Sequence, residues 1–397
     1  MTTDQVIDDI GAVLFDSLPR SDQRLRAQQY VRGLLTADGR KTLRNIAEQI
    51  GGTTARQSVH HFISDSSWDW RPVRQSLAAH VEALLQPRAW VVRPTVIPKA
   101  GVHSVGVEPR FVPATGQTVN SQQAYGAWLV GSHAVPADWR LQLTESWLAD
   151  AGRRQRANIP ESVNTATAEA CVRQLMPASG AGPQRLPVVV SVPGLDVTEC
   201  ARHLEGVAGP LLFRLDPGTR LRPDGAVLQP YSDRTTTAGQ LAEAAGRLRR
   251  PAEWTRTRDE RGETLATTLP VHLPAPAREP AAGRFDSAAR RPLRLVAEWS
   301  GDDRRRPRLW LTDSADLPLG TLLRLTRLTD TADRDAARIA DAVGMRDFVG
   351  RSYQGWHRHV TLASVAHLAV VLAGTAAFPA TRPQQEAGPA GPAGHVA

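Results

Sequence analysis

The spacing of the apolar residues changes near Ala89, and this change constrains the fold more than any other sequence feature. Up to residue 87, apolar residues recur at steps of three and four, as in VRQSLAAHVEALL, which predicts amphipathic helices. From Ala89 the chain contains short β-branched or apolar runs bounded by Gly and Pro: AWVVRPTVIP, SVGVEPRFVP, QQAYGAWLVG and RLPVVVSVPG. Such runs are typical of strands in one sheet. A helical unit therefore precedes a sheet.

Downstream, the same criteria predict a mixed α/β protein. Helical periodicity returns after residue 164, and the later segments LRLVAEWS and RRPRLWLTD look like paired strands. The C-terminal tail is Pro, Gly and Ala without apolar period, which predicts disorder. We expect five segments: a helical N-terminal domain over 1–87, the first part of the core over 88–213, an Arg-rich β-containing insertion over 214–312, a helical completion of the core over 313–376, and a disordered tail over 377–397.

The charge is concentrated in the predicted insertion. The chain has 48 basic and 40 acidic residues, a net charge of +8, and residues 214–312 hold 19 of the basic and 13 of the acidic ones. Arginines there are interleaved with Trp254, Trp299 and Trp310, a composition typical of a phosphate-contacting surface. A solvated Arg-rich insertion is the alternative, and composition leaves both open.

Several classes of protein lack support in the sequence. The most apolar stretch, residues 362–378, has His367 at its middle and small residues, which favours a buried helix over a membrane span. The N-terminus is acidic, unlike a signal peptide, and two cysteines are too few for a disulfide framework, so we expect a cytoplasmic protein without membrane contact. No phosphate-binding loop, dinucleotide turn, nucleophile elbow or zinc-protease helix occurs.

The segment LRNIAEQIGGTTARQSVHHFI is similar to a helix-turn-helix. Its second helix would present Arg56, Gln57, His60 and His61 to DNA. The apolar residue Val59 falls two positions late for the usual pattern, so a plain helical bundle is the alternative. Further along, His357 and His359 stand two apart with no carboxylate or thiolate at ligand spacing, so we predict no metal site.

The order of several longer segments resembles a known family. AWVVRPTVIPKAGVHSVGV, PADWRLQLTESW, ANIPESV, DVTE and FVGRSYQGWHRHVTLASVAHL occur in the order found in bacterial insertion-sequence transposases of the DDE superfamily. The resemblance extends from about Tyr30 to about Leu372. It implies an α/β fold with an RNase H-like mixed sheet, a helical N-terminal domain, a β-containing insertion and a C-terminal helical segment. It also implies DNA as the partner and Mg²⁺-dependent transposition, in which three carboxylates hold two metal ions.

The carboxylates that the family uses are replaced here. The family's first strand reads approximately V-V-D-D-T-G-F-P-K, and Arg93 and Pro94 stand at the two aspartate positions. The second acid belongs to V-V-A-D-A-G-Y-G-D-V-T-E, and alignment on DVTE places Ser191 there. The third belongs to a helical Y-x-x-R-x-x-x-E signature, and Asp333 takes the glutamate position. The resemblance therefore identifies a degenerate member of the family, for which we expect no bound metal or other cofactor.

Three functions remain open at this stage. The first is a transposase-derived protein that binds DNA, or has a regulatory role, without strand transfer. The second is an enzyme that uses the old cleft on a small molecule, with Lys99, His103 and Asp196 beside Arg93 and Asp333. The third is an active transposase with displaced acids, for which Asp196, Asp333 and Asp335 are the candidates. A homo-oligomer is compatible with each. For DNA contact the sequence nominates Arg56, Gln57, His60, Arg304, Arg305, Arg306 and Arg308.

Overall fold

The computed structural model gives the arrangement of most of the chain. It describes residues 2–112, 116–179, 186–203, 209–224, 228, 234–255, 261–274, 293–299 and 306–374. The predicted tail over 377–397 lies outside the described residues, as do Arg304 and Arg305 of the insertion.

Five helices form the N-terminal part, as the periodicity predicts. They are α1 (Thr3–Leu14), α2 (Ser21–Thr36), α3 (Leu43–Ile50), α4 (Thr53–Ser64) and α5 (Trp70–Leu85). Local capping explains their starts: Thr2 and Gln5 form a capping box on α1, and the Asp69 carboxylate accepts a hydrogen bond from the Arg71 N–H at the start of α5. Their apolar faces join the hydrophobic core that continues into the sheet.

The next six strands have the topology expected of an RNase H-like fold. They are β1 (Ala89–Pro98), β2 (Val107–Val112), β3 (Gln117–Val130), β4 (Ala134–Leu141), β5 (Val188–Val190) and β6 (Leu211–Leu215). β3 lies antiparallel to β1 and to both β2 and β4, whereas β1, β5 and β6 are mutually parallel neighbours. The connections contain α6 (Glu145–Leu148), α7 (Ala151–Arg156), α8 (Ala168–Ser179) and α9 (Val197–His203). The predicted mixed α/β fold is therefore confirmed.

The segment expected as an insertion extends this sheet. Its elements are β7 (Arg220–Pro223), β8 (Thr236–Thr237), α10 (Ala238–Ala244), a 3₁₀ turn (Ala245–Leu248), β9 (Arg250–Thr255), β10 (Arg261–His272), β11 (Leu293–Trp299) and β12 (Arg308–Thr312). β12 pairs antiparallel with β6, β11 with β12, and β10 with β11, so the described strands form one 12-stranded sheet. The predicted pairing of LRLVAEWS with RRPRLWLTD is thus present.

Helices complete the chain. They are α11 (Leu319–Thr326), α12 (Leu328–Asp335), a π-helical turn (Ala336–Ala340) and α13 (Tyr353–Ala373). α12 packs on β1, β3 and β4, and α13 packs against the N-terminal helices and β4. Nearly the whole of α13 is buried, which agrees with the expectation of a buried helix. Among the described helices, none is both long and apolar enough to cross a membrane.

Candidate functional site

Arg93, in the middle of β1, and Ser191, directly after β5, are neighbours in the structure. Val92 and Val190 are the last paired residues of the two parallel strands, and Arg93 and Ser191 follow them directly. The Ser191 N–H donates to the Val92 carbonyl at 2.8 Å, which fixes the two residues side by side. The ends of parallel strands in an open α/β sheet are where ligand sites form. Arg93 and Ser191 are therefore neighbours at the carboxyl end of β5.

Pro94 marks the point at which the ladder between β1 and β5 stops. The Trp90 N–H donates to the Pro187 carbonyl at 2.8 Å, and the ladder ends with the bond from Ser191 to Val92. In a parallel ladder the next bond would come from the N–H of residue 94. Proline has no N–H, so the strands are free to separate there. On its other side Pro94 stays paired with Tyr125 of β3.

Asp333 on α12 meets Arg93 across this edge. Arg93 Nε donates to Asp333 Oδ1 at 2.9 Å, and the guanidinium also lies 5.6 Å from the centre of the Trp128 ring. The Asp333 side chain is 63% exposed and that of Arg93 is 19% exposed. The site is therefore an open ion pair at the rim of the sheet. Arg93 thus lies between Ser191, at the end of β5, and Asp333 on α12, so this place holds a cation, a hydroxyl and a carboxylate.

The donor set at this edge does not fit a divalent metal pair. Mg²⁺ and Mn²⁺ take oxygen ligands, chiefly carboxylates. Here the Asp333 carboxylate already accepts from Arg93, whose positive charge opposes a second cation, and the nearby Asp341 is paired with Arg346. The neighbouring signature positions offer no replacement, because the hydroxyls of Thr326 and Thr329 donate to the helix carbonyls of Leu323 and Thr326.

The acids nominated for a displaced metal site have structural partners. The carboxylate of Asp196 accepts hydrogen bonds from the N–H groups of Thr198 and Glu199, which caps α9. Asp335 is buried, and its carboxylate accepts from the Ala134 N–H at 2.8 Å. In the described part of the chain, no three His, Cys, Asp or Glu side chains are grouped as a metal ion would need.

The residues nominated for recruited chemistry do not share one cleft. Lys99 follows β1, and its ammonium donates to the Phe348 carbonyl; burial lowers the pKa of Lys99 to about 8. His103 is exposed in the loop before β2 and lines a separate cavity with Arg351. Asp196 is held at the start of α9. Each of these side chains therefore has a different environment.

The segment resembling a helix-turn-helix forms two helices joined by two glycines. Gly51 and Gly52 separate α3 from α4, and Gly52 has φ of 68°, which favours glycine. Val59 lies on the buried side of α4, so this apolar residue packs into the core although it falls two positions late for the usual pattern. The side chains of α4 that were nominated for DNA contact are all exposed: Arg56, Gln57, His60 and His61.

The tryptophans of the insertion do not form an aromatic surface. Trp299 and Trp310 are buried in the sheet, and Trp254 is half-buried with the Arg327 guanidinium 4.8 Å from its ring centre. The rings of Trp299 and Trp310 are therefore core residues and do not support the interpretation of interleaved Arg and Trp as a phosphate-contacting surface. Of the nominated arginines, Arg306 is exposed, and Arg308 is exposed but lies 3.4 Å from Asp330.

Comparison with known proteins gives one family match. The family model described as DDE superfamily endonuclease matches residues 13–271, well over half of the chain. The matched region includes Arg93, Pro94 and Ser191 and ends before α12, which carries Asp333. A search of curated proteins finds no match. The family match and the sheet topology are independent observations that lead to the same fold.

Proposed function

The chain belongs to the DDE superfamily endonucleases, and from this premise we propose that it is a transposase-derived DNA-binding protein without strand-transfer activity. The observation that carries the proposal is the ion pair between Arg93 and Asp333 beside Ser191. Two metal ions would need several carboxylates at this place to stabilise the attacking and leaving oxygens. A guanidinium there attracts a phosphate but activates no nucleophile.

DNA contact is supported by charge and exposure. The net charge of +8 favours a polyanion, and the exposed side of α4 offers Arg56 and Gln57 to base edges. In the insertion, Arg306 and Arg308 lie at the start of β12, next to the sequence-nominated Arg304 and Arg305. Arginines of this kind bind phosphates and contribute affinity without sequence preference.

The first test concerns the chemistry. We expect the purified protein to neither nick nor join supercoiled or end-labelled DNA in Mg²⁺ or Mn²⁺, because the site lacks the anionic ligands. The Asp333→Ala variant, purified in parallel, is the control for contaminating nucleases. Metal-dependent cleavage by the natural protein that disappears in Asp333→Ala would show that the site is active and the proposal wrong.

The second test concerns DNA binding, measured by fluorescence anisotropy at several salt concentrations. Binding through about six phosphate contacts gives a slope of about −5 in log K against log salt on duplex DNA. Neutralising Arg304, Arg305, Arg306 and Arg308 together should reduce this slope by about one unit per lost contact and leave sequence preference unchanged. Arg56→Ala with Gln57→Ala should instead change the preference among sequences.

The decisive outcome of this second test is the natural protein's behaviour at low salt. Absence of binding at about 50 mM salt, where phosphate contacts are strongest, would contradict the DNA-binding proposal. The function as an enzyme on a small molecule would then take first place.

A further inference from the structure

A second basic site lies beyond the end of β1, away from the ion pair of Arg93. It is an open cavity of about 470 Å³ between the loop before β2, the α6–α7 segment and the residue that precedes the cap of α13. The cavity is lined by His103, Trp147, Arg153, Arg156, Ala157 and Arg351. Segments far apart in sequence thus place three arginines and a histidine around one hollow.

The positive charge of this cavity is incompletely neutralised. Arg153 lies 3.5 Å from Glu108 and 3.7 Å from Asp150. Within the described residues, neither Arg156 nor Arg351 has a carboxylate at ion-pair distance. Asp150 is close enough to Arg156 for an electrostatic interaction and also accepts from the Arg153 N–H at the start of α7, and Glu108 accepts from the hydroxyls of the α6 cap region. The cavity therefore has a net positive charge that faces solvent, since its three arginines outnumber the two nearby carboxylates.

Its walls are fixed before any ligand arrives. The Tyr353 N–H, at the start of α13, donates to the Ala157 carbonyl at 2.7 Å, which joins α13 to the end of α7. Trp147 is buried, its Nε1 donates to the Val107 carbonyl at 3.1 Å, and the Arg153 guanidinium lies 5.1 Å from its ring centre. The start of the 21-residue helix α13 adds a positive partial charge near Arg351. The backbone and the Trp147 side of the cavity are therefore held in place without a ligand, and the exposed side chains of Arg156 and Arg351 are the groups that an anion would order.

We propose that this cavity binds a phosphate group through Arg156 and Arg351, with Arg153 and His103 beside it. Planar guanidinium groups match the oxygens of phosphate, and the volume exceeds that of one phosphate, so an attached sugar fits as well. The phosphate belongs either to a DNA strand or to a free nucleotide. The DNA form of the proposal rests on the proposed function, because a DNA strand is the polyanion that this function requires.

The test compares two double variants that lose the same charge. Arg156→Gln with Arg351→Gln empties the cavity of its unpaired cations. Arg20→Gln with Arg71→Gln removes two exposed arginines, 62% and 63% exposed, that lie outside the proposed sites. Each protein is titrated with 5′-deoxyadenosine monophosphate by calorimetry and with duplex DNA by anisotropy at several salt concentrations. Circular dichroism of each variant checks that its fold is retained.

The two ligands separate the outcomes. We expect the cavity variant to weaken DNA binding at least tenfold at about 100 mM salt and to reduce the salt slope by about 0.9, the value for one phosphate, while the control keeps both. Binding of the monophosphate, lost only in the cavity variant, with no DNA binding by the natural protein would support the cavity and overturn the proposed function. DNA binding that is equal in both variants, without monophosphate binding, would overturn the cavity and leave the proposed function standing.

Discussion

The rim of the sheet and the surroundings of α13 each contain an arginine with a carboxylate partner. The partner is exposed to solvent at the rim and mostly buried beside α13. Arg93 at the rim has one carboxylate partner, which is largely exposed. Arg74, packed against α13, is buried and donates to the Thr361 hydroxyl at 2.8 Å, to Asp138 at 2.9 Å and to the backbone. If its partner is removed, Arg93 can form hydrogen bonds with water instead. Arg74 would stay buried with unsatisfied N–H donors.

The other polar residues of α13 follow the pattern of Arg74. His359 contacts the Tyr30 hydroxyl at 2.8 Å and the Gly344 carbonyl at 2.9 Å. His367 contacts the Ala134 carbonyl, and Arg358 donates to the carbonyls of Trp68 and Ile63. These bonds join the N-terminal helices, the sheet and the C-terminal helix. The motif GRSYQGWHRHVTL is therefore explained by packing and needs no catalytic role.

This difference explains why the resemblance to the family is clearer around α13 than at the rim that holds Arg93. Loss of a buried partner leaves an unsatisfied group, which costs about 1–3 kcal/mol and more for a charge. Loss of an exposed partner costs about 1 kcal/mol or less. We therefore expect substitutions around α13 to cost more stability than substitutions at the rim.

The largest effect is expected from Arg74→Ala. It leaves the Thr361 hydroxyl and His357 without their buried partner, while Asp138 keeps Arg140, so we expect the free energy of unfolding to fall by about 3 kcal/mol, measured by urea denaturation. Arg71→Ala, on the same helix but exposed, is the matched control and should change the value by about 0.5 kcal/mol or less. Similar small losses in both variants would remove the contrast between the two regions.

The next effect is a loss of stability in acid. Burial lowers the pKa of His359 and of His367 to about 4, and also lowers that of His357. Between pH 4 and the unfolded value near 6.5, the unfolded chain binds more protons, so stability falls as the pH falls through this window. Each histidine contributes about 1.4 kcal/mol per pH unit. Urea denaturation at pH 7.5, 6 and 5 measures the slope, and His359→Gln should reduce it; an unchanged slope would contradict the assignment.

The smallest effect is expected at the rim. A double-mutant cycle of Arg93→Ala and Asp333→Ala should give a coupling energy of about 0.2–1 kcal/mol, because Asp333 is largely exposed. Urea denaturation of the four proteins provides the values. A coupling above about 2 kcal/mol would mean that the ion pair belongs to the framework, and the comparison with Arg74 would fail.

Sequence patterns predicted most of the fold but missed β4. Its sequence AVPADWRL contains Pro136 and Asp138, which are unusual in strands, and the register with β3 shifts between Ala127 and Trp128. This bulge interrupts the alternation of buried and exposed residues that reveals a strand. A strand prediction that relies on alternating apolar and polar residues therefore fails for β4, because the bulge interrupts the alternation.

The sites were predictable to different degrees. Arg93 and Ser191 lie within the predicted strands AWVVRPTVIP and RLPVVVSVPG, and the resemblance to the family leads us to expect them near one another. The cavity of Arg156 and Arg351 could not be predicted, because about 190 residues separate them and no local period links them. The burial of Trp299 and Trp310 also could not be predicted from composition, because it depends on which faces of β11 and β12 are covered by other elements.

Pro94 has a consequence for the reversibility of the change at this rim. Aspartate at this position would bring back a carboxylate and also a backbone N–H opposite the Ser191 carbonyl, where the ladder now stops. That N–H would add a rung and draw together strand ends that proline leaves apart. Aspartate at position 94 would therefore change the hydrogen bonding of the sheet as well as the local charge. Proline at this position therefore makes the sequence change hard to reverse, because the side chain and the pairing of the neighbouring strand change together.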